Sequence, residues 1–122
     1  MSDSLLLDRD GAIATITLNR PDALNTLDFG MMDALVAATA EVAADDSLRV
    51  VVIRAAGKHF MAGGDLRTFA DELGNPGPQR EANFRAIIGR LHPAIEFLHR
   101  MPHPGVARVH GAVAGFGLSL MT

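Results

Sequence analysis

Alternating and continuous runs of apolar residues predict four short strands. Residues 5–7 and 12–18 are typical of the two arms of a hairpin, because Asp10-Gly11 between them tolerates the positive φ of a tight turn. Residues 49–53 are apolar on both faces after the first position, as expected for a strand that is covered on two sides. Residues 105–110 predict a fourth strand.

Helical periodicity accounts for most of the sequence between these strands. It predicts a helix over residues 28–44, a short helix over 65–73 and a long helix over 81–101, which Pro93 should kink or divide. Residues 74–78 should break regular structure and could form a mobile lid. The chain ends in what should be the first turns of a further helix. This order of elements predicts an α/β layered fold with crossover connections.

Composition narrows the class of protein. The 122 residues are 48% hydrophobic and 20% charged, which is ordinary for one globular domain or part of one. A net charge of −3 gives no basic field, so we expect neither a nucleic-acid nor a membrane partner. There is no cysteine and no signal-peptide pattern, and the five histidines lack metal-ligand spacing. We therefore expect a cytoplasmic protein without a metal site.

Two strand-to-helix junctions are rich in glycine. The first is Met61-Ala-Gly-Gly-Asp65 and the second is Gly111-Ala-Val-Ala-Gly-Phe-Gly117. Paired glycines can serve only tight turns and close packing. If the junctions meet in space, however, one N–H from each could form an oxyanion hole for a carbonyl oxygen that gains negative charge.

Three motifs resemble the crotonase (enoyl-CoA hydratase/isomerase) superfamily. They are Asn19-Arg-Pro-Asp-Ala-Leu-Asn25, the segment from Val50 through Ala62-Gly-Gly-Asp65 to Leu66, and the segment from Pro104 to Gly117. The resemblance runs through essentially the whole chain but covers about the N-terminal half of a typical member. It implies that residues 1–122 are the N-terminal part of a single crotonase-like domain with a ββα spiral, whose remainder is absent from this chain.

The resemblance also assigns site residues. It implies that the oxyanion donors are the backbone N–H groups of Gly64 and Phe116, and that no cofactor is needed beyond the coenzyme A of the substrate. Arg20 and Arg67 could meet CoA phosphates or equally be solvated surface residues. The positions implied to line the bound acyl-CoA or enoyl-CoA are Ala23, Leu24, Ala62, Gly63, Asp65, Leu66 and Arg67.

The implied activity is hydration or double-bond isomerisation of a CoA thioester, as in fatty acid metabolism. Ser119 stands where the hydratases carry one of two catalytic carboxylates, and the position of the other lies beyond Thr122. If the second is kept, a one-carboxylate proton shuttle of the isomerase kind is the natural mechanism. Asp65, Asp71 and Glu72 are better explained as a helix-start residue and two solvated carboxylates.

Other functions stay open. A non-catalytic acyl-CoA-binding or interaction module with the same fold would explain the absent carboxylates, and decarboxylation or thioester hydrolysis are further crotonase-type reactions. A nucleotide-phosphate site at residues 111–117 is disfavoured, because the turn lacks a P-loop ending.

The partial coverage of the family predicts unpartnered apolar surface. The stripe of Ile87, Leu91 and Leu98 should lack a partner. Members of the family commonly form trimers and dimers of trimers, so we expect a homo-oligomer.

Overall fold

The computed structural model describes residues 4–65, 69–70 and 74–122. The predicted hairpin is confirmed: β1 (Leu5–Asp10) pairs antiparallel with β2 (Ile13–Leu18). The turn lies one residue later than expected, because Asp10 still pairs with Ile13 and Gly11 takes the positive φ of 59°. The hairpin forms one edge of the sheet.

A four-stranded sheet in the order β1-β2-β3-β4 organises the molecule. The strand β3 (Val50–Ala55) runs parallel to β2, and β4 (Gly105–Ala107) runs parallel to β3. Each parallel pair is joined through a helix, as such pairs require. The predicted α/β class is confirmed, although β4 ends three residues before the strand predicted over 105–110.

The helices differ from the prediction mainly at prolines. The helix α1 (Phe29–Ala44) is as predicted, but α2 (Gly77–Arg100) begins within the segment that should have broken regular structure. Pro78 lies in its first turn, where a missing N–H costs nothing. Pro93 does not divide the helix, since Leu91 and Ala94 beside it are buried in the core. A last short helix, α3, spans Phe116–Met121; the helix predicted over 65–73 lies largely outside the described residues.

The hydrophobic core lies between the sheet and the pair α1 and α2. The prediction that the stripe on α2 lacks a partner is wrong. Leu91 is buried, and Ile87 and Leu98 pack against the core. Ile88 remains 64% exposed. No helix in the described ranges is long and apolar enough to cross a membrane. The core residues are Leu5, Ala14, Ile16, Leu18, Leu27, Met31, Met32, Ala34, Leu35, Ala38, Val42, Leu48, Val51, Ile53, Ala55, Phe60, Met61, Leu91, Ala94 and Leu120.

An exposed clasp joins α1 to α2. The Arg90 guanidinium donates from Nε to Asp33 Oδ1 at 2.8 Å and from a terminal nitrogen to Oδ2 at 2.6 Å. It also lies over the Phe29 ring, with 5.0 Å to the ring centroid. The hydrogen bonds from Arg90 hold the pKa of the Asp33 carboxyl below its ordinary value. The two helices that enclose the core are therefore also fixed at their outer edge.

Candidate functional site

Asn25 fixes the loop that follows β2. Its side chain is fully buried, and its Nδ2 donates to the carbonyls of Ala56 and His59 at 2.9 Å each. Its Oδ1 accepts the Arg20 N–H at 2.7 Å. Asn25 has a positive φ of 54°, a conformation that Asn tolerates better than most residues. The loop is therefore held to the segment that leads out of β3.

The next contact brings this loop to the first glycine junction. Ala62 N–H donates to the Leu24 carbonyl at 3.1 Å. Leu24 itself has a positive φ of 56° and a side chain that is 48% exposed. Ala23 and Leu24, predicted from the family motif to line the substrate, thus lie beside Ala62.

Arg20 connects three segments at this place. One terminal nitrogen lies 3.2 Å from Asp65 Oδ2 and 3.4 Å from Asp28 Oδ2, and the other donates to the Thr26 carbonyl at 2.5 Å. Its side chain is 19% exposed. The interpretation of Arg20 as a solvated surface residue is wrong, because the guanidinium is engaged with carboxylates of the protein. The Asp65 carboxylate is largely buried against it.

The two glycine junctions lie in contact. A Cβ built on Gly63 would be 3.7 Å from Gly115 Cα, and one built on Gly115 would be 3.4 Å from Gly63 Cα. Both residues have positive φ values, 102° and 56°. A Cβ on Gly117 would lie 2.8 Å from the Met61 carbonyl oxygen. Gly63 and Gly115 favour glycine because of their positive φ, whereas Gly117 needs glycine because the Met61 carbonyl leaves no room for a Cβ.

The N–H groups of Gly64 and Phe116 donate no hydrogen bond to another residue within the described part of the chain. Leu27 explains why the Gly64 N–H is not used, because Leu27 bonds to the two neighbours of Gly64. Its N–H donates to Gly63 O at 2.8 Å, and its carbonyl accepts from Asp65 N at 2.9 Å. Phe116 is the first residue of α3, where an N–H has no partner inside the helix. Each junction therefore contains at least one backbone N–H, that of Gly64 or of Phe116, without an acceptor among the described residues.

An apolar cavity of about 440 Å³ opens beside these donors. The ring of Phe69 lies directly against Gly64 and forms an edge-to-face pair with Phe84, at 5.8 Å between centroids. Among its described lining residues, the polar side chains are those of Ser119 and His92, and there is no carboxylate. The lining residues are Leu27, Met32, Gly64, Phe69, Phe84, Ile87, Ile88, Leu91, His92, Ile95, Phe116 and Ser119.

A second cavity, the loop cavity, has a volume of about 580 Å³. It brings together five of the seven predicted substrate-lining residues; Leu66 and Arg67 lie outside the described residues. Gly64 lines both cavities. The walls of the loop cavity are Asp22, Ala23, Leu24, Thr26, Ala62, Gly63, Gly64, Asp65 and Gly115.

Three histidines have structural contacts, as the sequence suggested. His59 Nδ1 accepts the Ala112 N–H at 2.9 Å, which ties the two junctions together. His110 Nε2 donates to the Gly57 carbonyl at 2.7 Å. The buried His103 ring donates from Nε2 to Val42 O at 2.8 Å. Among the described residues no His, Asp or Glu cluster could hold a metal ion.

Sequence reasoning missed the aromatic wall of the apolar cavity. Phe84 lies within the predicted long helix, where an apolar residue indicates core packing rather than a site, and Phe69 follows the first junction at no characteristic spacing. Asn25 is the last residue of the Asn19–Asn25 motif. Its role as the buried anchor of the loop nevertheless depends on partners that lie far along the chain.

Comparison with known proteins gives consistent results. The family model described as enoyl-CoA hydratase/isomerase matches residues 13–122. A solved enoyl-CoA hydratase/carnithine racemase from Magnetospirillum magneticum has a TM-score of 0.85 at 34% identity, with 99% of this chain and 44% of that chain covered. An enoyl-CoA hydratase/isomerase from Xanthobacter autotrophicus Py2 has a TM-score of 0.82 at 28% identity, covering 98% and 43%. The 1,2-epoxyphenylacetyl-CoA isomerase of Escherichia coli (strain K12) is 29% identical over 120 residues, 98% of this chain and 45% of the relative. The chain spans less than half the length of the curated relatives that it matches.

Proposed function

Since the chain belongs to the enoyl-CoA hydratase/isomerase family, we propose that it binds a CoA thioester and stabilises the thioester enolate through the N–H groups of Gly64 and Phe116. Its fold is that of the crotonase-type enoyl-CoA hydratases. The observation that carries the proposal is that the N–H groups of Gly64 and Phe116 find no acceptor in the described part of the chain and belong to two glycine junctions whose backbones touch.

The presence of Gly64 in the walls of both cavities supports this proposal. A thioester has a long polar carrier on one side of its carbonyl and an acyl group on the other. The loop cavity would take the carrier next to the carbonyl, and the apolar cavity would take the acyl group. With the carbonyl oxygen near Gly64, its developing charge would meet fixed N–H dipoles that need no rearrangement during the reaction.

The proposed chemistry begins with transfer of a proton from the carbon next to the carbonyl to a general base, or with attack of a water oxygen on a conjugated double bond while a proton of that water passes to such a base. In both cases electron density moves onto the carbonyl oxygen, and the backbone donors lower the energy of that state relative to the bound substrate. Return of a proton to carbon completes isomerisation or hydration. In the apolar cavity Ser119 and His92 are the polar side chains among the described lining residues.

A non-catalytic acyl-CoA-binding module is the second candidate. It is favoured by one observation, that no carboxylate is found among the described residues of the apolar cavity. Such a module would keep the thioester site and lack a group of suitable basicity to move the proton.

One pair of measurements separates these candidates. Titration calorimetry with a saturated acyl-CoA measures binding, and loss of the conjugated enoyl-thioester absorbance, with mass analysis of the product, measures turnover. Saturable binding with turnover supports the enzyme, and binding without turnover supports the module. A protein that binds neither saturated nor unsaturated thioesters would refute both.

We also propose that the protein forms a homo-oligomer. Exposed apolar side chains support this proposal, among them Ile88, Val106 and Leu118 at 64%, 51% and 49% exposure. Sedimentation velocity at several concentrations is the test, and a single monomeric species at all of them would contradict it.

A further inference from the structure

Two arginines lie side by side at the carboxyl ends of β3 and β4. The parallel register pairs Ile53 with Ala107, and Arg108 N–H donates to the Ile53 carbonyl at 2.8 Å, so the next positions in register are Arg54 and Arg108. Neighbouring strands lie about 4.8 Å apart, and side chains at the same register share a face of the sheet. Like charges that are placed directly opposite each other are destabilising.

Within the described ranges, no carboxylate of the protein compensates the positive charges of Arg54 and Arg108. There, neither guanidinium lies within ion-pair distance of a carboxylate, and both residues are exposed. Arg90 shows the contrast, because its guanidinium is held by both oxygens of Asp33.

Both arginines line one cavity of about 310 Å³, here called the basic cavity. Its wall also includes Gly57 and His110, whose ring is fixed by the 2.7 Å hydrogen bond from Nε2 to the Gly57 carbonyl. No carboxylate is found among its described lining residues, and none of these residues lines the apolar cavity or the loop cavity. The basic cavity is therefore a separate concave surface with two positive charges and a polar ring.

We propose that the basic cavity binds an oxyanion of the phosphate class. A phosphate oxygen pair matches the planar fork of a guanidinium, and a doubly charged anion between Arg54 and Arg108 would turn their mutual repulsion into two charge-assisted contacts. The anion is either free phosphate or a phosphate group of a larger molecule such as coenzyme A. Both present the same chemistry to the arginines.

Titration of the purified protein with inorganic phosphate, at constant ionic strength near neutral pH, tests the site. We expect saturable binding that weakens about tenfold or more in Arg54→Gln and in Arg108→Gln, because each removes one of two charged contacts. Arg49→Gln is the matched control, since Arg49 is exposed just before the other end of β3 and outside the cavity. Circular dichroism checks that each variant is folded.

Thermal melting gives a second readout. Without phosphate, Arg108→Gln should melt at a higher temperature than the wild type, because the repulsion is removed. Phosphate should raise the midpoint of the wild type and of Arg49→Gln, and should have little effect on the two cavity variants. Absence of saturable phosphate binding, unchanged binding in both cavity variants, or an equal loss in Arg49→Gln would overturn the proposal.

Competition identifies the source of the phosphate. If coenzyme A displaces phosphate while pantetheine does not, the site holds a phosphate group of the coenzyme. If coenzyme A and inorganic phosphate bind at the same time, the site binds free phosphate. The titration with phosphate alone does not depend on thioester binding, so failure of the proposed thioester function and failure of this site give different results.

Discussion

Replacing Phe116 with proline removes one proposed oxyanion donor and leaves the surrounding backbone in place. Phe116 is the first residue of α3, a position where proline is well tolerated. The residue before it, Gly115, is already outside the helical region at φ 56° and ψ −126°, so the restriction that proline places on its predecessor is met. The bonds from Gly117 N–H to Ala114 O and from Leu118 N–H to Gly115 O use neither atom that changes.

The size of the effect follows from the chemistry of the lost group. Removal of one oxyanion donor typically lowers kcat by about 10² to 10³, equivalent to about 3 to 4 kcal/mol of transition-state stabilisation. Phe116→Pro also removes the aromatic ring from the wall of the apolar cavity. Phe116→Ala is the matched control, because it removes the ring and keeps the N–H.

The ratio of the two variants isolates the donor. We expect Phe116→Pro to turn over an enoyl-CoA substrate at least about 10²-fold more slowly than Phe116→Ala, with similar affinity for a saturated acyl-CoA. Thermal melting of both variants checks that α3 is intact. Equal turnover in folded Phe116→Pro and Phe116→Ala would refute the assignment of the Phe116 N–H.

Three further predictions concern the scaffold. Asn25→Ala should lower the free energy of unfolding by about 3 kcal/mol in urea denaturation, because it leaves two partly buried carbonyls and a partly buried N–H without their hydrogen-bond partner; a loss below about 1 kcal/mol would contradict its anchoring role. Gly89→Ala should raise that free energy by about 0.5 to 1 kcal/mol, since its Cβ would meet no atom within 4 Å on α2, and a lower midpoint would be inconsistent with the open space there. The lowered pKa of Asp33 contributes stability that is present above its unfolded pKa and lost as the pH falls through its lower folded value. Unfolding free energies measured below about pH 4 should therefore fall more steeply in the wild type than in Arg90→Met, and parallel profiles would argue against the clasp.

The sequence predicted correctly those elements whose apolar positions are also the positions that the fold buries. The hairpin, α1 and β3 follow from periodicity and turn residues, because their apolar faces are also the faces that the fold buries. Pro78 and Pro93 misled the prediction of α2, since one lies in a first turn and the other is flanked by buried residues. A proline predicts a helix break only from the local sequence. That α2 includes Pro78 and continues through Pro93 depends instead on their positions in the helix and on the contact between α2 and α1.

The site was only partly predictable for a related reason. The glycine motifs located Gly64 and Phe116, but the motifs do not contain the contacts that position them. Arg20 was expected to face solvent or a ligand, and its engagement with Asp65 depends on how two distant segments fold together. The wall formed by Phe69 also depends on tertiary packing that no spacing in the sequence encodes.

Isolated bridges, rather than ladders of paired strands, hold the two glycine junctions: Leu27 with Gly64 joins the first junction to the loop before α1, and Met61 with Val113 joins the two junctions to each other. Isolated bridges of this kind can open while the sheet stays folded. The segments that carry the Gly64 and Phe116 N–H groups should therefore open locally at a lower free-energy cost than the sheet. The backbone amides of these segments should exchange with solvent deuterium sooner than those of β2 and β3. Because both bridges join segments that are distant along the chain, the two junctions should also be among the last to assemble when the protein folds.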